Sequence, residues 1–304
     1  MKKILAVRKR QIRSQRMYHL MMIPGMIFVL IFCYVPMFGI VMAFQDYVPA
    51  KGILGSEFVG LKHFKYMFSL PDIGQIVTNT MVIAIGEIIL GTFMAIAFAI
   101  LLNEIRIKFF KKTVQTIVYL PHFLSWVVLA AVVVNMVNLD GAVNQLIQAI
   151  GLEKINFLGD NAWFRPMIIV TDVWKEFGYN SIVYLAAITA IDPGLHEAAA
   201  MDGAGWWSRI WHITLPGMLP IILLMGAMNL TSILSAGFDQ IYNLYSPMVY
   251  QSGDVLDTYV YRMGMISRQY SFSTAVGLLR SVVGMILMLT ANGLAKRFTD
   301  RKIF

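Results

Sequence analysis

The chain has 304 residues, of which 58% are hydrophobic and only 14% charged, too little polar surface for an ordinary soluble enzyme of this length. Its net charge of +8 does not read as a nucleic-acid footprint, because the basic residues cluster beside long apolar runs, and no nucleic-acid partner is expected. The single cysteine, Cys33, excludes an intrachain disulfide, and the five histidines are scattered with no helical pair at ligand spacing, so neither a metal site nor metal-based enzyme chemistry is expected.

Taken in order, residues 1–19 form a basic segment in which Lys2, Lys3, Arg8, Lys9, Arg10, Arg13 and Arg16 precede the first apolar run without an acid among them. Such a segment stays on the cytoplasmic side. The run from Leu20 to Phe44 is too long for a signal core and is read as a retained first span, kinked near Pro36. Further runs cover Val77 to Leu102, Val114 to Val137, Met167 to Ile191, Met218 to Ile241 and Thr274 to Ala295. Each has the roughly 20 residues that a helix needs to cross about 30 Å of hydrocarbon. The expected fold is therefore an all-α integral membrane protein with six transmembrane helices and both termini cytoplasmic. Residues 20–295 form one membrane domain and residues 296–304 a cytoplasmic tail. With that topology 16 of the 25 Lys and Arg residues lie inside and 7 outside, the expected bias.

The outer segments include Gly60 to Phe68, read either as an amphipathic stretch along the outer interface or as a plain connecting loop, a short helix and turn between 138 and 166, and Asp254 to Arg262 between the last two spans. The inner loop 192–216 is the least membrane-like part of the second half. Asp192-Pro193-Gly194 announces a turn, and a short helix starts near His196. Gly203 and Gly205 loosen the chain, and Trp206, Trp207, Ile210, Trp211 and Ile213 continue at helical spacing. The result is two short helices joined at a glycine.

Polar groups at membrane depth are costly and mark either interhelical pairing or a solute path. Asp172, Lys175, Glu176 and Tyr179 share one face of the fourth span, and Arg280 sits at similar depth in the sixth, where it is expected to pair with Asp172 or Glu176. A structural ion-pair network is favoured there over a polar lining. Glu87 has no evident partner. The fifth span carries Asn229, Thr231, Ser232 and Ser235, then Phe238, Asp239 and Gln240. Amides, carboxylates and hydroxyls beside aromatic rings suit a neutral sugar, and Asn229, Ser232, Phe238, Asp239, Gln240 and Tyr179 are the candidate pathway residues. Small residues allowing close helix packing are the competing account of Ser232 and Ser235.

Glu197-Ala198-Ala199, Gly203 and Ile213-x-Leu215-Pro216 resemble the EAA loop of bacterial ABC importer permeases. Gly60-Leu61-x-His63-Phe64, Asn79-Thr80, Leu120-Pro-His-Phe-Leu-Ser-Trp126, Gly237-Phe-Asp-Gln240, Asp257-Thr-Tyr-Val-Tyr-Arg262 and Ala275-Val-Gly-Leu278 extend the resemblance to the maltose-permease-like carbohydrate superfamily, in particular its LplB-type oligosaccharide branch. The resemblance implies a permease in the bacterial cell (inner or plasma) membrane, paired with a second homologous permease, two ATP-binding cassette ATPases and an extracytoplasmic solute-binding protein, for a carbohydrate. It implies that Glu197, Ala198, Ala199, Asp202, Gly203, Ala204, Arg209, Ile213, Leu215 and Pro216 dock on the ATPase, with Gly203 permitting the bend and the Trp206 to Trp211 face bracing the loop. The Asn-rich pattern of maltose permeases is replaced here by Asp-Gln, so maltose itself is not implied. No phosphate loop occurs in the sequence, so ATP is expected to be hydrolysed by partner subunits and no cofactor to be bound by this chain. The alternative is an ion-gradient-coupled secondary transporter using Glu87, Asp172 and Glu176, although the spans show no evident duplicated halves.

Overall fold

A computed structural model describes residues 17–231 and 233–299. Residues 1–16, which hold the seven basic residues of the N-terminal segment, Ser232 and residues 300–304 lie outside that range.

Helix α1, Met17–Phe44, is apolar along its length; residues 17–38 are exposed throughout, while its end at Phe38–Phe44 packs against the final helix and buries Ala43. Ahead of Pro36 it loosens into a π-helical stretch, Leu30–Tyr34, and beyond it tightens to a 3-10 helix, Phe38–Phe44. The prolyl ring removes one N–H donor and crowds the carbonyl four residues back, which the wider turn accommodates.

A two-residue antiparallel pair follows, β1 (Gln45–Asp46) with β2 (Glu57–Phe58), a departure from the all-α expectation. Strands this short have no room for a hydrophobic alternation. Polar side chains close the hairpin instead: Ser56 accepts the Val48 N–H at 3.1 Å and donates to the Gly52 carbonyl at 2.6 Å. Helix α2, Lys62–Ser69, lies against it, with Lys62 donating to Asp46 at 2.5 Å and His63 meeting the Gln45 carbonyl at 3.0 Å. The Lys62 ammonium holds the Asp46 carboxyl below its usual range.

The centre of the molecule is the pairing of α3, Asp72–Glu104, with α7, Asn161–Thr189. They run in the same direction: Asn79 meets Arg165 at one end, while Ala95 and Ala99 share a small core with Tyr184 and Ile188 at the other. Contact is close enough that a Cβ on Gly86 would come within 2.6 Å of Ile169. Asn79 is fully buried and uses its whole amide. It donates to the Gln251 and Asp254 carbonyls at 3.1 and 2.9 Å and accepts from Gln75 and Arg165. Asn79→Ala would remove one of the Arg165 guanidinium's two hydrogen bonds and the donor to two carbonyls, so we expect a loss of about 2–4 kcal/mol, read as a drop in the thermal midpoint of the purified chain in detergent.

The third and fifth runs are not continuous spans. The third divides into α4, Lys108–Tyr119, and α5, Trp126–Val137, separated by a 3-10 turn at Leu120–Phe123. Pro121 cannot continue the hydrogen-bond ladder, and Ser125 restarts it by accepting the Val128 N–H at 3.4 Å. Helix α6, Ala142–Ala149, completes the connection to α7. Helix α8, Pro193–Met201, precedes α9, which begins at Trp206–Arg209, passes through a π-helical turn at Ile210–Thr214 and continues as Leu215–Thr231. The fifth run then leaves the helix. Gly237 adopts φ +49°, a left-handed conformation that a side chain resists, and α10, Phe238–Leu244, restarts with a new phase. After α11, Leu256–Tyr261, the chain closes with α12, Tyr270–Thr299.

Five described segments are long and apolar enough to cross a membrane: Met17–Phe44, Asp72–Glu104, Trp126–Ala149, Trp206–Leu230 and Tyr270–Thr290. Helix α7 has the length, 29 residues, but carries Arg165, Asp172, Lys175 and Glu176.

Candidate functional site

Two regions of the chain carry the polar chemistry: the loop between α7 and α9, and a seam of charged and aromatic groups along α5, α7, α10 and α11. In the loop, α8 begins at Pro193, three residues earlier than the sequence suggested, because proline needs no N–H partner in a first turn and Asp192 caps it by accepting the Gly194 N–H at 2.9 Å. Gly203, with φ +80°, ends α8. Its N–H donates to the Ala200 carbonyl at 3.1 Å, and the Ala204 N–H reaches back to the Ala199 carbonyl at 2.8 Å, the double closure of a Schellman motif. Glu197, Ala198 and Asp202 are exposed, Ala199 and Ala204 half-buried. Among the described residues Glu197 makes no ion pair or side-chain hydrogen bond.

The second piece of the loop is the start of α9 itself, not a separate short helix. Ile210, Thr214 and Met218 are buried at four-residue spacing, while Trp207 and Trp211 are 67% and 64% exposed. The expected bracing by the tryptophan face is thus corrected: the widened turn shifts the helical phase, and Ile210 faces inward where Trp207 and Trp211 face out. Trp206 is half-buried and packs edge-on against Trp207. Arg209, Ile213 and Leu215 are half-buried and Pro216 exposed. At Gly217 a Cβ would meet Ile191 at 2.7 Å, so the two arms of the loop close tightly where they join the helices.

In the seam, Lys175 donates to Glu176 at 2.6 Å and to the His122 carbonyl at 3.1 Å, and the His122 ring meets Glu176 at 2.7 Å while stacking on Tyr179 at 3.8 Å. The carbonyl freed by the break at Pro121 is therefore satisfied by a buried ammonium. His122 was missed as a member of this group; its place beside a proline inside an apolar run was the available signal. Asp172 lies one turn away on α7, and Glu87 stands on the facing helix α3. Glu87, Thr92, Asn180, Tyr184 and Asn229 line a small cavity of about 50 Å³ between α3, α7 and α9.

Arg280 does not join this group. It pairs with Asp257 on α11 and donates to Ser235 at 2.5 Å, correcting the expected bond to Asp172 or Glu176. Gln240 is also reassigned. Fully buried, it donates to the Ile168 carbonyl at 2.8 Å and to Thr171 at 2.9 Å, so it fastens α10 to α7 and does not face an open path. Asp239 is exposed, Phe238 half-buried.

The sequence matches the family described as "Binding-protein-dependent transport system inner membrane component" over residues 87–300. The chain belongs to that family. This permease is 46% identical to the polygalacturonan/rhamnogalacturonan transport system permease protein YteP of Bacillus subtilis (strain 168), over 96% of this chain and 91% of that one. It is 40% identical to the protein LplB of the same organism, over 96% and 92%. Among solved structures, a chain of a bacterial alginate ABC transporter in complex with an alginate pentasaccharide-bound periplasmic protein superposes with a TM-score of 0.88 at 38% identity, covering 96% of this permease and 98% of that chain. Membership decides between the transport classes weighed from the sequence, in favour of binding-protein-dependent import.

Proposed function

We propose that this permease is one of two homologous membrane subunits of an ATP-driven importer for oligosaccharides, with α7 as a sixth span, both termini cytoplasmic, and the α8–α9 loop as the element that docks on the ATPase. The acidic saccharides carried by its relatives, polygalacturonan/rhamnogalacturonan and alginate, make a uronate-containing oligosaccharide the substrate class to try first. A solute-binding protein delivers it on the outer face, and ATP is hydrolysed by the partner subunits.

The observation that carries the reading is the loop itself: an exposed carboxylate, Glu197, without a partner among the described residues, on a helix whose end is fixed at Gly203. Within a sixth span, Lys175 and Glu176 neutralise one another and His122 adds a hydrogen bond to the carboxylate, which is how a charged helix is tolerated in lipid. The bare face of α1 is covered by lipid or by the second permease.

Glu197→Ala should weaken ATPase retention about tenfold, the size of one charge-assisted hydrogen bond of roughly 1.5 kcal/mol, measured by quantitative co-purification from native membranes in mild detergent. Full retention of the ATPase by the variant, or purification of the wild-type chain without any ATPase, would remove the docking role.

A further inference from the structure

Beyond the break at Gly237 the chain assembles aromatic rings from three separate segments. On α10 the buried positions are Gln240, Ile241 and Leu244. The helical phase this sets turns Phe238 and Tyr242 to the open side, followed by Tyr245. Phe238 and Tyr242 stack at 5.3 Å with an 18° interplanar angle, Tyr242 meets Tyr245 at 6.1 Å, and Tyr245 meets Tyr250 at 5.1 Å. Tyr261 of α11 backs the inner end, 5.4 Å from Phe238 and 5.0 Å from Tyr242. The series ends on Arg262, whose guanidinium lies 4.2 Å over the Tyr250 ring and is anchored by Asp254.

We propose that Phe238, Tyr242, Tyr245 and Tyr250, backed by Tyr261, form a track along which an oligosaccharide chain passes between the outer face and the polar segment at Asp239. The inference rests on the reading of this chain as a saccharide permease. A pyranose presents C–H groups on its faces and hydroxyls around its edge. Half-open rings receive the faces, and the hydrogen-bonding groups beside them receive the edge. Asp239 and Asn243, both exposed, stand one residue along from Phe238 and Tyr242 on the same helix and supply that rim. A ring set facing only lipid headgroups has no use for an exposed carboxylate beside it. Stacking also tolerates variation from unit to unit, because every sugar has such a face, as every base has for a single-strand-binding protein. Successive rings offer successive, similar contacts, so a chain can advance without leaving one deep site for another.

The test is uptake by the full complex, with binding protein and ATPases, in proteoliposomes, using dimers and hexamers of galacturonic acid, mannuronic acid and glucose as probes. Tyr242→Ala and Tyr245→Ala should raise the half-saturating concentration for a transported hexamer about fivefold or more and for the matching dimer by less than twofold, with the maximal rate for the dimer unchanged. Tyr242→Phe, which keeps the ring, should stay within about twofold of wild type for both. Equal losses for hexamer and dimer, no loss for either, or a Phe variant as defective as the Ala variant would each overturn the track while leaving the importer standing. A wild-type complex that carries a non-saccharide solute and none of the six probes would overturn the saccharide reading and the track together.

Discussion

A Gly203→Val permease should reach the membrane in normal amount and still import about ten- to a hundredfold more slowly than wild type. Gly203 sits at φ +80° with open space around the position a Cβ would occupy, so the substitution meets no neighbour; the backbone alone opposes it. A β-branched residue in that region costs roughly 1–3 kcal/mol. The chain would relieve the strain by abandoning the Schellman closure, releasing the Ala199 and Ala200 carbonyls and letting α8 swing relative to α9. Distributed over alternative loop geometries, that energy corresponds to the stated loss of docked population. Gly205→Ala is the control. Gly205 has φ −66° and open space, so alanine there meets no strain and costs only the N-cap difference from glycine, about 0.5–1 kcal/mol, and uptake should stay near wild type. Uptake and ATPase co-purification measured on both variants would settle it; a fully coupled Gly203→Val protein would show that the bend is not what the ATPase reads.

Lys175→Met should be the most destabilising single change in the charged seam. The Lys175 side chain is 8% exposed and serves two acceptors, Glu176 and the carbonyl left open where α4 and α5 separate. Methionine fills the space and supplies no donor. Breaking one side of a buried pair costs about 3–5 kcal/mol, since the remaining charge is left uncompensated. Adding Glu176→Gln to Lys175→Met should recover part of that loss, because the carboxylate charge goes too and an amide can still bond to His122. The measurement is thermal unfolding in detergent of the single and double variants. A double variant worse than the single one would mean that Glu176, not the pair, holds α7 to the break.

The apolar runs were legible because length and hydropathy are summed over 20 or more residues, and no single position can hide them. The breaks were not, for the same reason: Pro121 and Gly237 each interrupt a run without changing its average. Once the fifth run is broken, the helical phase carried through from Asn229 no longer applies, and that is why Gln240 points into the protein. Arg280 was misassigned because matching depths along the membrane normal fixes only one coordinate of three. Its partner Asp257 lies on α11, in a connection whose path back to α12 leaves no periodic trace in the sequence. The α8–α9 loop was the easiest part to read, since its polar composition stands out between apolar neighbours. The start of α8, the continuity of α9 and the tryptophan orientation were not legible there, the last through a widened turn that no residue pattern announces.

The continuity of α9 has a mechanical consequence. From Trp206 to Thr231 it is one rod of 26 residues, about 39 Å long, with one end in the proposed docking loop and the other at the break before Gly237. A tilt of roughly 10° imposed at the loop would carry the far end about 7 Å sideways on that length. Because α10 is separately fastened to α7 by Gln240, the displacement is spent between Thr231 and Phe238. The break works as a universal joint: it lets the rod sweep while the aromatic surface beyond stays where it was.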